Sequence, residues 1–172
     1  MEEKVNQPSF KLRLRVEGIK VVIDECFDRS FCESLRGRGL IIDGFLEVLE
    51  AAYLVAKCII SIGSGCGWVV SLDLISRVSP RDMDLFFVYY DLRKRGRIVM
   101  RGFRPGTLIM RKGSKGRPIE ILVLREGVLV ELEDIVEWSR LASGDGMDPV
   151  VAIVDGHGNV TYYEARAVRS FT

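Results

Sequence analysis

The chain contains a single histidine, His157, and this residue is the first candidate for acid–base chemistry. A histidine acts as a general base where a pocket and a second group position it. His157 instead lies between Gly156 and Gly158, in a run of residues that favours a turn. The sequence therefore predicts a surface loop residue. Any serine or cysteine nucleophile that needs a histidine could use only this one.

Two further segments have the composition of phosphate-binding loops. Residues 63–67 are rich in glycine, but they lack the Lys-Ser/Thr pair of a P-loop and the spacing of a dinucleotide motif, so a turn is predicted. The segment 111–117 carries Arg111, Lys112 and Lys115, which suit phosphate contacts and a solvent-exposed turn equally well. Arg140, near the end of a predicted helix, ordinarily serves as a cation at the negative end of the helix dipole.

Composition restricts the class of protein without identifying it. The 172 residues are 48% hydrophobic and 28% charged, a globular mixture sufficient for one ordinary domain or two small ones. A net charge of +1 gives no general sign of a nucleic-acid binder. Arginine outnumbers lysine and side-chain amides are scarce, which fits either heat adaptation or a GC-rich genome. No apolar run would span a membrane and no secretory signal is visible, so a cytoplasmic location is expected.

The four cysteines, Cys26, Cys32, Cys58 and Cys66, are spaced more widely than the ligands of most zinc sites, and no histidine lies near them. Structural or free thiols are therefore favoured over a metal site. A disulfide such as Cys26–Cys32 would be unusual in the cytosol of a mesophile, whereas hyperthermophiles contain many. The sequence leaves the pairing open.

The order of elements that must position these residues predicts an α+β fold with two small mixed domains, residues 1–79 and 80–172. The first domain is predicted to contain strands within 11–23 and at 40–48, and helices from Asp28 or Ser30 to Leu35, at 49–57, and from an N-cap at Ser71 to Arg77. The second begins at the N-capping pair Ser79-Pro80 and is predicted to contain helices at 80–95 and from Leu132 to about Leu141, and strands at 97–101, 107–111, 119–124, 150–154 and 160–165.

Three stretches of the chain resemble the tRNA-splicing endonuclease family of archaea. The stretch at 87–99, FVYYDLRKRGRIV, with GFRPG at 102–106, is similar to the family block YxDLRxRGYxVKxG(F/L)K(F/Y)G. VAIVDGHGNVTYY at 151–163 is similar to its LAIVDxDGDVTYY hairpin, and LEVLEAAYL at 46–54 to its LSLVEALYL segment. The resemblance covers about residues 12–170. It implies an N-terminal mixed α/β domain followed by a nuclease-fold domain.

The resemblance also implies a reaction and the positions that would perform it. Family members cut introns from precursor tRNA at bulge–helix–bulge motifs with a Tyr, a His and a Lys, without metal or cofactor. They leave a 2′,3′-cyclic phosphate and a 5′-hydroxyl. In this sequence the three positions fall at Met110, Pro118 and Met147. No tyrosine or histidine occurs from residue 91 to 156, so a small shift of alignment does not restore the trio.

A chain of this family without its trio is expected to be a structural subunit, since some archaeal forms are heterotetramers of two catalytic and two structural chains. In the family the acidic loop of the structural subunit enters a basic groove of the catalytic one, and the last strand pairs through an apolar face. The corresponding interface residues here are Asp155, Gly156, His157, Gly158, Asn159, Val160 and Tyr162. Asp155 is the only acidic residue of the loop, and it is expected to meet a cationic pocket.

Two arginines of the family stack on a bulged base, and Arg140 and Arg169 match them in this sequence. Two alternatives to a structural subunit are a free-standing module that binds structured RNA, and an enzyme that uses another residue set, such as His157 with Lys112 or Lys115. A free-standing RNA binder should lose affinity steeply as salt is raised.

Overall fold

The computed structural model describes residues 10–111 and 116–165, which form two compact units that divide between Arg81 and Asp82. The division falls two residues after the boundary predicted from Ser79-Pro80. Each unit combines helices with a mixed sheet, and the predicted α+β class is confirmed. Among the described residues, no helix has the length and apolar character needed to cross a membrane.

The first unit is built on a five-stranded sheet in the order β3-β4-β2-β1-β5, in which only β1 and β5 run parallel. Its elements are β1 Leu12–Glu17, β2 Lys20–Cys26, α1 Arg29–Gly37, β3 Ile41–Ile42, β4 Phe45–Leu46, α2 Val48–Ala56, β5 Ser61–Ile62 and α3 Trp68–Val78. The side chain of Asp28 caps α1 by accepting a hydrogen bond from the Phe31 backbone at 3.0 Å, as its sequence position predicts.

Two predictions for this unit are wrong. The single strand predicted at 40–48 is a hairpin of two short strands, because Asp43 and Gly44 both have positive φ, 52° and 82°, and reverse the chain. The helix predicted to begin after Ser71 begins at Trp68, with Gly67 in the capping position. Ser71 lies inside this helix, where its hydroxyl donates to the Trp68 carbonyl at 2.7 Å.

All four cysteines are paired, as Cys26–Cys32 and Cys58–Cys66. The first disulfide joins the end of β2 to α1, and the second joins the segment after α2 to the turn before α3. Both disulfides lie in the first unit, so the four cysteines are structural and none is a free thiol.

The second unit contains α4 Met83–Lys94, β6 Val99–Arg101, β7 Thr107–Met110, β8 Ile119–Arg125, α5 Leu132–Gly144, β9 Asp148–Val154 and β10 Val160–Glu164. The predicted helix at 80–95 is shorter than expected, since residues 80–82 form a single 3-10 turn before α4. The sheet order is β10-β9-β8-β7-β6, and only β8 and β9 run parallel.

A helix covers each face of the second sheet. Trp138 and Ala142 of α5 pack on Val151, next to Leu122 and Leu124 of β8. Successive residues of a strand point to opposite faces. Ile121 and Val123, which alternate with Leu122 and Leu124, are therefore buried on the other face, which α4 covers. Burying a large apolar side chain contributes about 1.5–3 kcal/mol, so these two layers hold β8 and β9 firmly in the middle of the sheet.

Candidate endonuclease site and subunit interface

The three positions expected to carry catalytic groups lie at the same end of three neighbouring strands. Met110, the last residue of β7, pairs with Ile119, the first residue of β8. Ile119 in turn pairs with Asp148, the first residue of β9. Pro118 and Met147, which immediately precede these two, are therefore adjacent as well. The fold brings the three positions together, and none of the three side chains can transfer a proton or bear a charge.

The charged groups near this end of the sheet interact mainly with one another. Arg117 donates from Nε to the Gly146 carbonyl at 3.0 Å and lies 3.8 Å from Asp148. The Arg104 guanidinium bridges the fully buried carboxylate of Glu120, at 2.6 Å, and Asp145. Hydrogen bonds with Glu120 and then Asp145 raise the pKa of Arg104. This ion-pair network holds the segment before β7, strand β8 and the end of α5 together.

Of the predicted RNA-binding residues, Arg111 and Arg140 lie within the described residues and are exposed. Lys112, Lys115 and Arg169 lie outside them. The side chain of Arg140 is 72% exposed and approaches Glu137 only at 3.9 Å. An exposed pair at that distance contributes little to stability, so the guanidinium is available to a ligand.

The loop 155–159 joins β9 to β10, and the Asp155 carboxylate organises it from within. The carboxylate accepts hydrogen bonds from the backbone of His157, from the backbone of Asn159 and from the Asn159 side chain, each at 2.8 Å. The Asn159 side chain, then the two backbone groups, hold the pKa of Asp155 below its ordinary value. His157 and Asn159 are exposed on the loop, as a turn residue is expected to be.

Helix α4 supports this hairpin at two points. Gly158 has a φ of 83°, and its Cα lies so close to the Phe87 ring that an added Cβ would come within 2.8 Å of it. Further along, the Tyr162 hydroxyl donates to the Asp91 carboxylate at 2.8 Å. Burial, and then the hydrogen bond to Asp91, raise the pKa of Tyr162 well above its ordinary value. These two contacts hold the hairpin, and with it the loop, against α4.

Two family models match the chain. The N-terminal domain of the SEN2-like tRNA-intron endonucleases matches residues 10–78, and the catalytic C-terminal domain of the tRNA intron endonucleases matches residues 83–162. A tRNA-splicing endonuclease of Pyrococcus furiosus is 34% identical over 88% of this chain and 89% of its own length. The chain belongs to the tRNA-intron endonuclease family.

Other relatives of this endonuclease family are similar at the same level. A tRNA-splicing endonuclease of Pyrococcus horikoshii is 35% identical over 86% of this chain and 87% of its own length. An EndA-like protein of Methanopyrus kandleri is 31% identical over 66% of this chain and 71% of its own length. Membership links the chain to the removal of tRNA introns. Within residues 10–111 and 116–165, no group of three or more histidine, cysteine, aspartate or glutamate side chains is arranged to hold a metal ion.

An apolar surface of this endonuclease-family chain escaped the sequence prediction. Val128, Leu129 and Val130, in the segment between β8 and α5, are all exposed, and the Leu129 side chain is 100% accessible. Tyr163 is 53% exposed and lines a groove with Leu129. We call these four residues the apolar patch. The sequence signal was the apolar run that follows Gly127 where a polar loop is expected.

The apolar patch includes the face of β10 opposite to the one predicted. Val160 and Tyr162 were expected to present the apolar surface, but Tyr162 is directed toward Asp91 of α4. The opposite face of the strand carries Thr161 and Tyr163, both exposed. The prediction that Val160 and Tyr162 contact a partner stays a prediction. The exposed side of the strand is the one that continues into the apolar patch.

Proposed function

We propose that this chain is the structural, non-catalytic subunit of a hetero-oligomeric tRNA-intron endonuclease, with two copies joined to two catalytic subunits. The observation that carries the proposal is the occupation of the three catalytic positions by Met110, Pro118 and Met147, at the strand ends where the family's Tyr, His and Lys would stand. The complex would remove introns from precursor tRNA at bulge–helix–bulge motifs.

The reaction explains why these three residues matter. In a metal-independent cleavage, the ribose 2′-hydroxyl attacks the adjacent phosphorus and expels the 5′-oxygen, which yields a 2′,3′-cyclic phosphate and a 5′-hydroxyl. One group must accept the 2′ proton, one must donate a proton to the leaving oxygen, and a cation must stabilise the charge on phosphorus. Methionine and proline provide none of these functions. Met147 is also buried, with 6% of its surface exposed.

A role in assembly is supported by surfaces that the second unit leaves uncovered. Among the described strands, β10 lies at one edge of the sheet, so one side of its backbone is available for pairing. The apolar patch lies beside it, and a monomeric protein rarely exposes a cluster of large apolar side chains without a binding role. A strand of the catalytic subunit that pairs with β10 would also cover this patch.

RNA placement is the second role that we propose for the subunit. Arg140 is exposed on α5, and a guanidinium plane can stack on a splayed-out base as well as contact phosphate. The same exposure supports the alternative function, a free-standing module that binds structured RNA. The two functions differ in whether RNA binding requires the catalytic chain.

The test is reconstitution with the catalytic endonuclease chain of the same genome, recognised by its complete Tyr, His and Lys. We expect the purified chain alone to leave a bulge–helix–bulge RNA intact, because Met110, Pro118 and Met147 lack the required groups. Adding the catalytic chain should produce cleavage in EDTA, whereas a catalytic chain with its histidine replaced should not. Metal-independent cutting by this chain alone would refute the proposal. If this chain binds the RNA tightly but does not associate with the catalytic chain, the free-standing RNA-binding module is favoured.

A further inference from the structure

We infer that Phe103 is an RNA contact of this subunit, and that its exposed ring stacks on an unpaired base of the precursor tRNA. Phe103 lies in the turn 102–106 between β6 and β7 and is 87% exposed. The inference deepens the proposed role in RNA placement and rests on it. It concerns a residue to which the family resemblance gives no role.

The first observation is the charge of the sequence around Phe103. Residues 92–119 contain ten arginines and lysines and no aspartate or glutamate. Residues 126–137, by contrast, contain five acidic residues and no arginine or lysine, a composition that repels phosphate groups. An exposed aromatic side chain within a basic stretch is the combination with which proteins bind single-stranded nucleic acid. The surroundings of Phe103 therefore favour RNA over a protein as the occupant.

The second observation is that the backbone on both sides of Phe103 is held in place. The Gly102 N–H donates to the Thr107 carbonyl at 2.8 Å, and the Thr107 hydroxyl donates to the Arg104 carbonyl at 2.8 Å. Thr107 is buried, and its hydroxyl leaves no room for a Cβ at Gly102. Because the turn is held in this way, the Phe103 ring loses mainly its own side-chain freedom when it stacks.

The third observation is where the turn is attached. The Arg104 guanidinium, next in sequence to Phe103, contacts the fully buried carboxylate of Glu120 and the carboxylate of Asp145. These two acidic residues are each two positions from a residue that stands at a catalytic position. A buried carboxylate is stable only when it is paired, so Arg104 is needed where it lies. The turn is thereby tied to the end of the sheet that carries the catalytic positions.

The contact that Phe103 adds is stacking rather than attraction to phosphate. Arg101 and Arg104, on either side of it, are both engaged with carboxylates of this unit. At the other end of the same hairpin, Arg97 and Arg111 are exposed and can reach phosphates. Every base has a flat face that an aromatic ring can cover, but a paired helix shields those faces. The ligand is therefore a nucleotide outside the helices of the RNA.

The test compares two substitutions that separate an aromatic ring from apolar bulk. Phe103→Trp keeps a ring, whereas Phe103→Leu keeps only an apolar side chain. Each variant is assembled with the catalytic chain of the same genome, whose histidine is replaced so that the RNA is not cut. Binding of a bulge–helix–bulge RNA is measured by fluorescence anisotropy in EDTA. We expect Phe103→Leu to weaken RNA binding at least about fivefold and Phe103→Trp to stay within about threefold of wild type.

A spectroscopic signature distinguishes stacking from an indirect effect on the fold. In Phe103→Trp, the RNA should quench tryptophan fluorescence beyond the change seen in the wild type, which has only Trp68 and Trp138. A fully paired RNA duplex of the same length should cause no additional quenching. Ile19→Trp is the matched control, because Ile19 is 77% exposed but lies in the first unit, and it should show no additional quenching with either RNA.

The outcomes separate this inference from the proposed function. If the wild-type chain does not associate with the catalytic chain, the proposed function fails and the inference fails with it. If the wild-type complex forms and binds the RNA, but Phe103→Leu binds it equally well, the inference alone is wrong. If light scattering shows that Phe103→Leu instead weakens association with the catalytic chain, the ring contacts protein, and the inference is again overturned.

Discussion

The tip of the β9–β10 hairpin requires glycine at position 158, and adding a single Cβ atom there tests this requirement. Its φ of 83° is in the left-handed region, where a side chain costs about 1–2 kcal/mol, and the Phe87 ring occupies the space of a Cβ. Gly156 in the same loop has open space around its Cβ position and does not have positive φ. The two glycines therefore form a matched pair.

We predict that Gly158→Ala lowers the stability of the second unit by about 1–3 kcal/mol, from backbone strain and displacement of the Phe87 ring, and weakens pairing with the catalytic chain. Gly156→Ala should leave both properties within experimental error. Thermal unfolding measures the change in stability. Light scattering during a titration with the catalytic chain measures the change in pairing. If the two alanine variants behave alike, the contact with Phe87 does not shape the loop.

The residues of the candidate site could be predicted to different degrees. The family resemblance, and not periodicity, assigned the catalytic positions to Met110, Pro118 and Met147, and the strand pairing places these three residues side by side. The direction of Tyr162 could not be predicted, because the alternation of residues along β10 defines two faces without saying which of them packs against α4. The internal role of Asp155 was also missed. A turn with Asp followed by Asn four residues later was the available signal.

At the scale of elements, long periodic segments were predicted well and short ones poorly. The strand β8 and the helices α4 and α5 have enough periodic residues to define their type. The hairpin of β3 and β4 has two residues in each strand, and the Asp43-Gly44 pair was the turn signal. Helix α3 begins at Trp68, directly after Gly67, whose φ is 102°. Ser71, the predicted cap, therefore lies inside the helix. Local propensity does not determine these short elements.

The two disulfides give the elements of the first unit a dependence on redox conditions that the second unit lacks, since every cysteine lies between residues 26 and 66. A disulfide that closes a short loop contributes about 2–3 kcal/mol by restricting the unfolded chain. We predict that a phosphine reductant lowers the protection of α1, α2 and α3 against hydrogen exchange and leaves β8 and β9 unaffected.

The control for this prediction is the chain with all four cysteines replaced by serine, which should match the reduced protein and show no response to reductant. Hydrogen exchange followed by mass spectrometry resolves the two units. Equal protection of the first unit with and without reductant would mean that the disulfides add no stability there. A loss of protection in β8 and β9 would mean that the two units unfold together.

At the scale of the whole molecule, the second unit keeps a well-packed core and exposes large apolar side chains beyond it. Helix α5 covers the sheet around Trp138 and Ala142, but within residues 10–111 and 116–165 nothing covers the apolar patch of Val128, Leu129, Val130 and Tyr163 in the same way. The buried core stabilises the fold of the second unit, and the exposed apolar patch suits association with another protein.

The last prediction concerns Leu129, whose side chain is 100% exposed and therefore makes no contribution to the core of the free chain. We predict that Leu129→Asp leaves the melting temperature of the isolated chain within about 2 °C of wild type, because surface substitutions change stability by less than ~0.5 kcal/mol. Pairing with the catalytic chain should weaken by at least about tenfold, because the interface would have to desolvate a carboxylate.

Ile19→Asp is the matched control for Leu129→Asp. Ile19 is also apolar and 77% exposed, but it lies between β1 and β2 of the first unit, whereas the apolar patch belongs to the second unit. Both variants add the same charge, so a general electrostatic effect would weaken both equally. Weaker pairing for Leu129→Asp alone assigns the interface to the patch beside β10. Equal pairing by Leu129→Asp and wild type would show that the complex forms through another surface, and the role of the exposed side of β10 in assembly would then be excluded.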